Sequence, residues 1–82
     1  MAPQRENPMD AQVAETAIKL YLKEIHTRLN EAAGIARAAD ACAEAGDPDR
    51  GVKVALDIEQ LVYEATRLLD AASLINRLAK ED

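Results

Sequence analysis

Apolar residues recur at alternating spacings of three and four along most of this chain, the signature of amphipathic helices. Ala11, Ala14, Ile18, Leu22, Ile25, Leu29, Ala32, Ala36, Ala39 and Ala43 share one stripe, and Val54, Ile58, Leu61, Val62, Ala65, Leu68, Leu69, Ala72, Ile75 and Ala79 form a broader one. Faces that wide suit helices of a bundle rather than a narrow two-stranded seam. The stripe of the first helix is mostly alanine towards its C-terminal end, so backbones are expected to approach closely there. Its opposite end carries Ile18, Tyr21, Leu22, Ile25 and Leu29.

Two helix starts share one grammar. In Asn7-Pro8-Met9-Asp10 and in Asp47-Pro48-Asp49-Arg50 a capping side chain precedes a proline. The fixed φ of proline suits the first helical position, where its missing N–H costs nothing. Gly34 alone interrupts the first helix, and one interior glycine costs about 1 kcal/mol without breaking a long helix. The expected layout is a flexible segment over 1–7, a first helix over about 8–45, a turn at 46–47 and a second helix over about 48–80. Gly46 fits the left-handed position after a helix, and Asp47 caps the next one. So short a connection makes the helices antiparallel neighbours. The predicted fold class is all-α, a long antiparallel two-helix hairpin.

Composition changes the meaning of those stripes. Of 82 residues, 49% are apolar, but 17 are alanine, 18 are Val, Ile or Leu, and the only aromatics are Tyr21 and Tyr63. That core is thin for a lone small domain, which ordinarily adds disulfides, a metal or a partner subunit. The single Cys42 excludes an intrachain disulfide, and His26 with Cys42 makes no closed zinc site. A partner subunit remains, and the hairpin is expected to dimerise into a four-helix bundle.

Further apolar residues lie outside the main stripes. Val52, Leu56, Tyr63 and Leu74 fall together on the far side of the second helix, while Val13, Ala17, Leu20, Ile35 and Cys42 form a looser flank on the first. Scattered exposed apolar residues are normal on soluble proteins. One hairpin cannot bury two opposed faces, however, so Val52, Leu56, Tyr63, Leu74, Leu20 and Ile35 are the expected interface, with Tyr63 as its anchor. Asn76 interrupts the second stripe opposite Thr16 or Ala17, where a polar residue either sets register or frays into water. The segment Thr27–Ile35 resembles Thr66–Leu74, either as a duplicated helix or as what two Ala/Arg/Leu-rich helices produce by chance.

Charge narrows the chemistry. The formal net charge is −5, which repels nucleic acid and anionic membrane surfaces unless charges are segregated. Lys19, Lys23, His26, Asn30 and Arg37 do project from one side of the first helix. They read either as a tracker of RNA phosphates, two such stripes flanking a helical RNA in a dimer, or as an ordinary solvated face. Glu15 and Glu44 border the stripe and no aromatic is interleaved, which favours the solvated face. Glu24, Arg28 and Glu31, and likewise Glu64, Arg67 and Asp70, have the spacing of exposed ion-pair ladders. Inward Glu residues with Glu-x-x-His pairs, as di-metal bundles need, are missing, as are a Gly-rich phosphate loop and a nucleophile elbow. No cofactor or metal is expected.

No basic segment followed by an apolar run opens the chain, and no stretch approaches a membrane span. A cytoplasmic protein without membrane insertion is therefore expected. The sequence points to a non-enzymatic helical interaction module acting as a homodimer, a small adaptor, regulator or inhibitor with a further protein partner. A small RNA-binding hairpin dimer using Lys19, Lys23, His26 and Arg37 is the alternative.

Overall fold

A computed structural model describes residues 10–80, which are all-helical: α1 spans Ala11–Glu44, α2 Pro48–Ala55 and α3 Ile58–Lys80. The segment 1–7 and the Asn7-Pro8 start signal lie outside the described residues. Among the described residues the first helix opens at Ala11, preceded by Asp10 in an extended backbone at φ −61° and ψ 134°. Its carboxylate accepts the Gln12 N–H at 2.8 Å, satisfying a donor that the first helical turn leaves unpaired.

At the other end of α1 the local signals act as their residue types require. Gly46 adopts φ +93°, its N–H donates to the Ala43 carbonyl at 3.0 Å, and the Asp47 N–H donates to the Cys42 carbonyl at 2.9 Å. This pair of bonds closes a helix through a left-handed residue, a conformation in which a Cβ is strained. Asp47 then accepts the Arg50 N–H at 3.1 Å, and Pro48 takes the first position of α2.

The second arm is bent, where an unbroken helix over 48–80 was expected. Between α2 and α3 the Asp57 N–H reaches the Val54 carbonyl at 3.3 Å and the Glu59 N–H reaches the Leu56 carbonyl at 3.2 Å. Both are three-residue bonds of the tighter 3₁₀ kind. Leu56 nonetheless keeps right-handed helical dihedrals (φ −60°, ψ −26°), so the chain bends without reversing. Asp57, a poor interior helix former that competes for backbone hydrogen bonds, stands at the break.

Both α2 and α3 pack against α1, and the arm runs back along it. Gly51 lies against Ala39, Arg28 against Glu64, and Ala14 in the same hollow as Asn76. The residues drawn inward on α1 are Ala14, Ile18, Tyr21, Ile25, Arg28, Ala32, Ile35, Ala39 and Cys42, all buried or half-buried. Their counterparts are Gly51, Val54, Ile58, Leu61, Ala65, Leu68, Ala72, Ile75 and Ala79. Spacings alternate strictly between three and four on both arms, straight through the bend, which is the seven-residue repeat of a coiled-coil seam.

This seam differs from the broad stripes that the sequence suggests. Leu22, Leu29, Val62 and Leu69, expected inside, stay exposed at 52%, 46%, 44% and 55%. Tyr21, Arg28, Ile35 and Cys42 occupy the seam in their place. A helix packing against one neighbour covers only about two positions per seven, so the outer part of a wider apolar face is left in solvent. Among the described residues the only buried hydrophobic side chains are Ala14, Ala32, Ala65 and Ala72. The molecule measures 70 × 14 × 13 Å, with a radius of gyration of 19.1 Å against about 12 Å for a compact chain of this length.

Candidate interaction surface

The two flanks of the seam differ in chemistry, and the difference follows from the seven-residue register. On one flank Ala17, Glu24, Glu64, Ala71 and Leu78 are half-buried, while Glu31, Ala38 and Asp57 nearer the turn are exposed, so this side is closed along its half away from the turn. Arg28 projects from the seam towards it. Its Nη1 donates to Glu24 Oε1 at 2.6 Å, its Nε donates to Glu64 Oε1 at 3.0 Å across the arms, and Gln60 Nε2 donates to the other Glu64 oxygen at 3.0 Å. The carboxyl of Glu64 is consequently held below the usual carboxylate range, first by the Gln60 amide and then by Arg28. The guanidinium is held more firmly protonated by Glu24 and then Glu64.

Sequence spacing alone reads Arg28 as part of an exposed ladder along α1. The pair with Glu24 is indeed i, i+4, but the bond to Glu64 ties α1 to α3. The signal available in the sequence was the register of Tyr21, Arg28 and Ile35, seven apart, which places the arginine in the seam. A charged residue at such a position fixes which partner turns face each other, at some cost in stability.

The other flank is open and apolar. Leu29, Val62 and Leu69 line a shallow groove of about 160 Å³ together with Ile25, Ala65 and Thr66. Val62 also borders a neighbouring hollow formed by Ala55, Ile58, Glu59 and Tyr63. Leu22 continues the row one heptad from Leu29. Two rungs of large side chains result, Leu22 with Leu69 and Leu29 with Val62. Towards the turn the row ends in Ala36 and Ala55, and towards the open end in Glu15 and Asn76. Asn76 is exposed and lies in a hollow with Ala14, Glu15, Ile18 and Lys19.

Of the residues expected at an interface, Leu20, Val52, Leu56, Tyr63 and Leu74 are exposed at 46–62%. They are divided between the two arms: Leu56 and Tyr63 lie seven residues apart on the outer side of the second arm, away from the seam, and Leu20 lies on α1. Ile35 is half-buried in the seam, because its sevenfold spacing from Arg28 turns it towards α2 and α3. Cys42 is half-buried beside the turn.

The basic stripe remains on the exposed side of α1. Lys19, Lys23, His26, Asn30 and Arg37 are all exposed, and the Lys19 ammonium pairs with Glu15 Oε2 at 3.0 Å. Near the turn, a hollow lined by Asp47, Asp49, Arg50, Lys53, Val54 and Asp57 carries the pair Lys53 to Asp49 at 3.5 Å. Charge is uneven along the rod. Between residues 34 and 59, Asp40, Glu44, Asp47, Asp49, Asp57 and Glu59 outnumber Arg37, Arg50 and Lys53. In the rest of 10–80, Asp10, Glu15, Glu24, Glu31, Glu64 and Asp70 are balanced by Lys19, Lys23, Arg28, Arg67, Arg77 and Lys80.

Among the described residues no three His, Cys, Asp or Glu side chains converge to hold a metal ion, and no helix is long and apolar enough to cross a membrane. No family model, curated protein or solved structure matches this chain.

Proposed function

We propose that this chain is a non-enzymatic helical interaction and oligomerisation module: α1 and the bent α2–α3 arm form a long hairpin that pairs with a second copy into a four-helix bundle. Its polar outer faces are then free for a further protein partner, as in a small adaptor, regulator or inhibitor. One observation carries this reading. Among the described residues the buried side chains of one copy are four alanines, while ten large apolar side chains remain 44% exposed or more.

The magnitudes favour a partner. An alanine methyl contributes about 0.8 kcal/mol on burial, against about 1.5–3 kcal/mol for a Val or Leu side chain taken fully out of water. Half of that gain is still unrealised at Leu22, Leu29, Val62 and Leu69, so each has roughly 1 kcal/mol left to contribute in an assembly. Two copies bring eight such side chains together.

Sedimentation equilibrium over a wide protein concentration range tests the proposal, with far-ultraviolet circular dichroism on the same samples. The expected result is a species of twice the chain mass, with helicity falling on dilution as dimers dissociate. A fully helical species of single-chain mass at every concentration overturns the homodimer.

A further inference from the structure

We infer that the occupant of the open flank is a second copy of this chain, seated antiparallel about a two-fold axis perpendicular to the rods, with the Leu22/Leu69 rung of each copy against the Leu29/Val62 rung of the other. The inference rests on the homodimer proposed above and adds which face pairs and in which direction.

Three features of the molecule lead there. The closed flank is the poorer contact, because Glu24, Arg28 and Glu64 form an ion-pair cluster there and seating a second copy on it would take those charges out of water. The open flank has no charge at its two central rungs, and Leu29, Val62 and Leu69 stand in a groove already walled by Ile25, Ala65 and Thr66. A two-fold contact requires the patch to fit itself, and two successive rungs of large side chains, one heptad apart, exchange places under such an axis.

Direction follows from charge, and the position of the rungs along the rod permits it. Residues 34 to 59 hold six carboxylates and three cations, a net −3 over 26 residues, whereas the other 56 residues of the chain hold nine carboxylates and seven cations, a net −2. A parallel dimer would set the two acidic turn ends side by side; the antiparallel one places them at opposite ends, well beyond the roughly 8 Å screening length at physiological salt. The midpoint between the two rungs lies near the middle of α1, which spans Ala11–Glu44, so antiparallel copies overlap over nearly their whole length. Each alanine rung, Ala36 with Ala55, then meets the partner's open end rather than another alanine rung.

The orientation is read by spin-label distance. In the full chain, Cys42→Ala removes the native thiol and Ala45→Cys places one label at the exposed end of α1. Ala45 lies about 20 residues from the inferred axis, so at 1.5 Å per residue the antiparallel dimer separates the labels by about 60 Å. A parallel dimer holds them within about 25 Å, across helices 8–10 Å apart.

The face is read by dissociation constant. Leu29→Ala keeps a strong helix former and is expected to weaken the dimer by about tenfold or more. Tyr63→Ala, on the outer side of α3, is expected to leave it unchanged. A short label distance overturns the orientation, and a Leu29→Ala dimer as tight as the native one overturns the face. Both leave the homodimer standing. A native chain that stays single at all concentrations overturns the homodimer and this inference with it.

Discussion

Replacing Gly51 with alanine sets two effects of opposite sign against each other. Gly51 is inside α2, and an interior glycine in a helix costs about 1 kcal/mol relative to alanine, so local propensity alone makes the substitution stabilising. The packing reverses this. A Cβ at Gly51 would lie 2.7 Å from the Ala39 carbonyl oxygen and 3.6 Å from both the Ala39 carbonyl carbon and the Ala43 nitrogen. All three are backbone atoms of α1, so no side chain can swing aside. Relief requires α2 to move away from α1, loosening the contacts of the small residues around it. Overpacking of this kind costs about 1–3 kcal/mol, leaving a net destabilisation of about 1 kcal/mol.

Gly34 supplies the control. A Cβ there meets only the mobile end of Arg37, at 3.6 Å, so Gly34→Ala should gain the full propensity term of about 1 kcal/mol. Thermal unfolding followed by circular dichroism, at one fixed protein concentration because association shifts the midpoint, compares them directly. At about 4–8 °C per kcal/mol for a chain of this size, Gly34→Ala should melt above the native protein and Gly51→Ala below it. If Gly51→Ala raises the midpoint as much as Gly34→Ala does, the close approach of α2 to α1 is wrong.

Acid should act through Glu64. Its folded carboxyl is held below the usual range, so the stability it contributes is complete above the unfolded-state value of about 4.3 and is lost as pH falls through the lower folded value. Glu64→Gln is therefore expected to flatten the acid limb of a stability-against-pH curve, an effect that shrinks with added salt because the group is partly exposed; identical acid limbs for native and variant would refute the bridge. The basic stripe is expected to behave as a solvated face. A mobility-shift assay with mixed structured RNAs at low salt should show no binding, whereas a salt-sensitive shift weakened by Lys23→Ala or Arg37→Ala would transfer the reading to RNA.

Much of the local structure is legible because its causes are local. Gly46 and Asp47-Pro48 terminate one helix and start the next through hydrogen bonds within a few residues of themselves, so the turn is written in the residue types. The start of α1 is less legible: only the extended backbone and the bond to Gln12 identify Asp10 as its cap, a role the residue pattern had not assigned to it. The bend at Leu56 and Asp57 carries no Pro or Gly to announce it, and the apolar spacing runs through it unbroken.

The candidate surface is less legible. Periodicity at 3.6 residues per turn groups Leu22 and Leu29 with Ile18 and Ile25, and Val62 and Leu69 with Ala65 and Ala72, without dividing the group between two neighbours. Arg28 shows the same ambiguity. By spacing it belongs to a surface ladder, and only the position of α3 brings Glu64 to its guanidinium.

The amino-acid sequence by itself determined that the chain is helical, where its turn lies, and that its apolar residues are too small and too widely spread for one copy to enclose. Those properties depend on caps, propensity and periodicity, which act over one or two helical turns. The tertiary structure decided which third of each apolar face lies in the seam and which is left open. That choice depends on register: a helix packed against one neighbour covers about two positions in seven, and Tyr21, Arg28 and Ile35 on α1 with Leu61, Leu68 and Ile75 on the second arm take those positions. Leu22, Leu29, Val62 and Leu69 are thereby displaced to the flank, where the apolar surface that makes the chain look incomplete is gathered on one side.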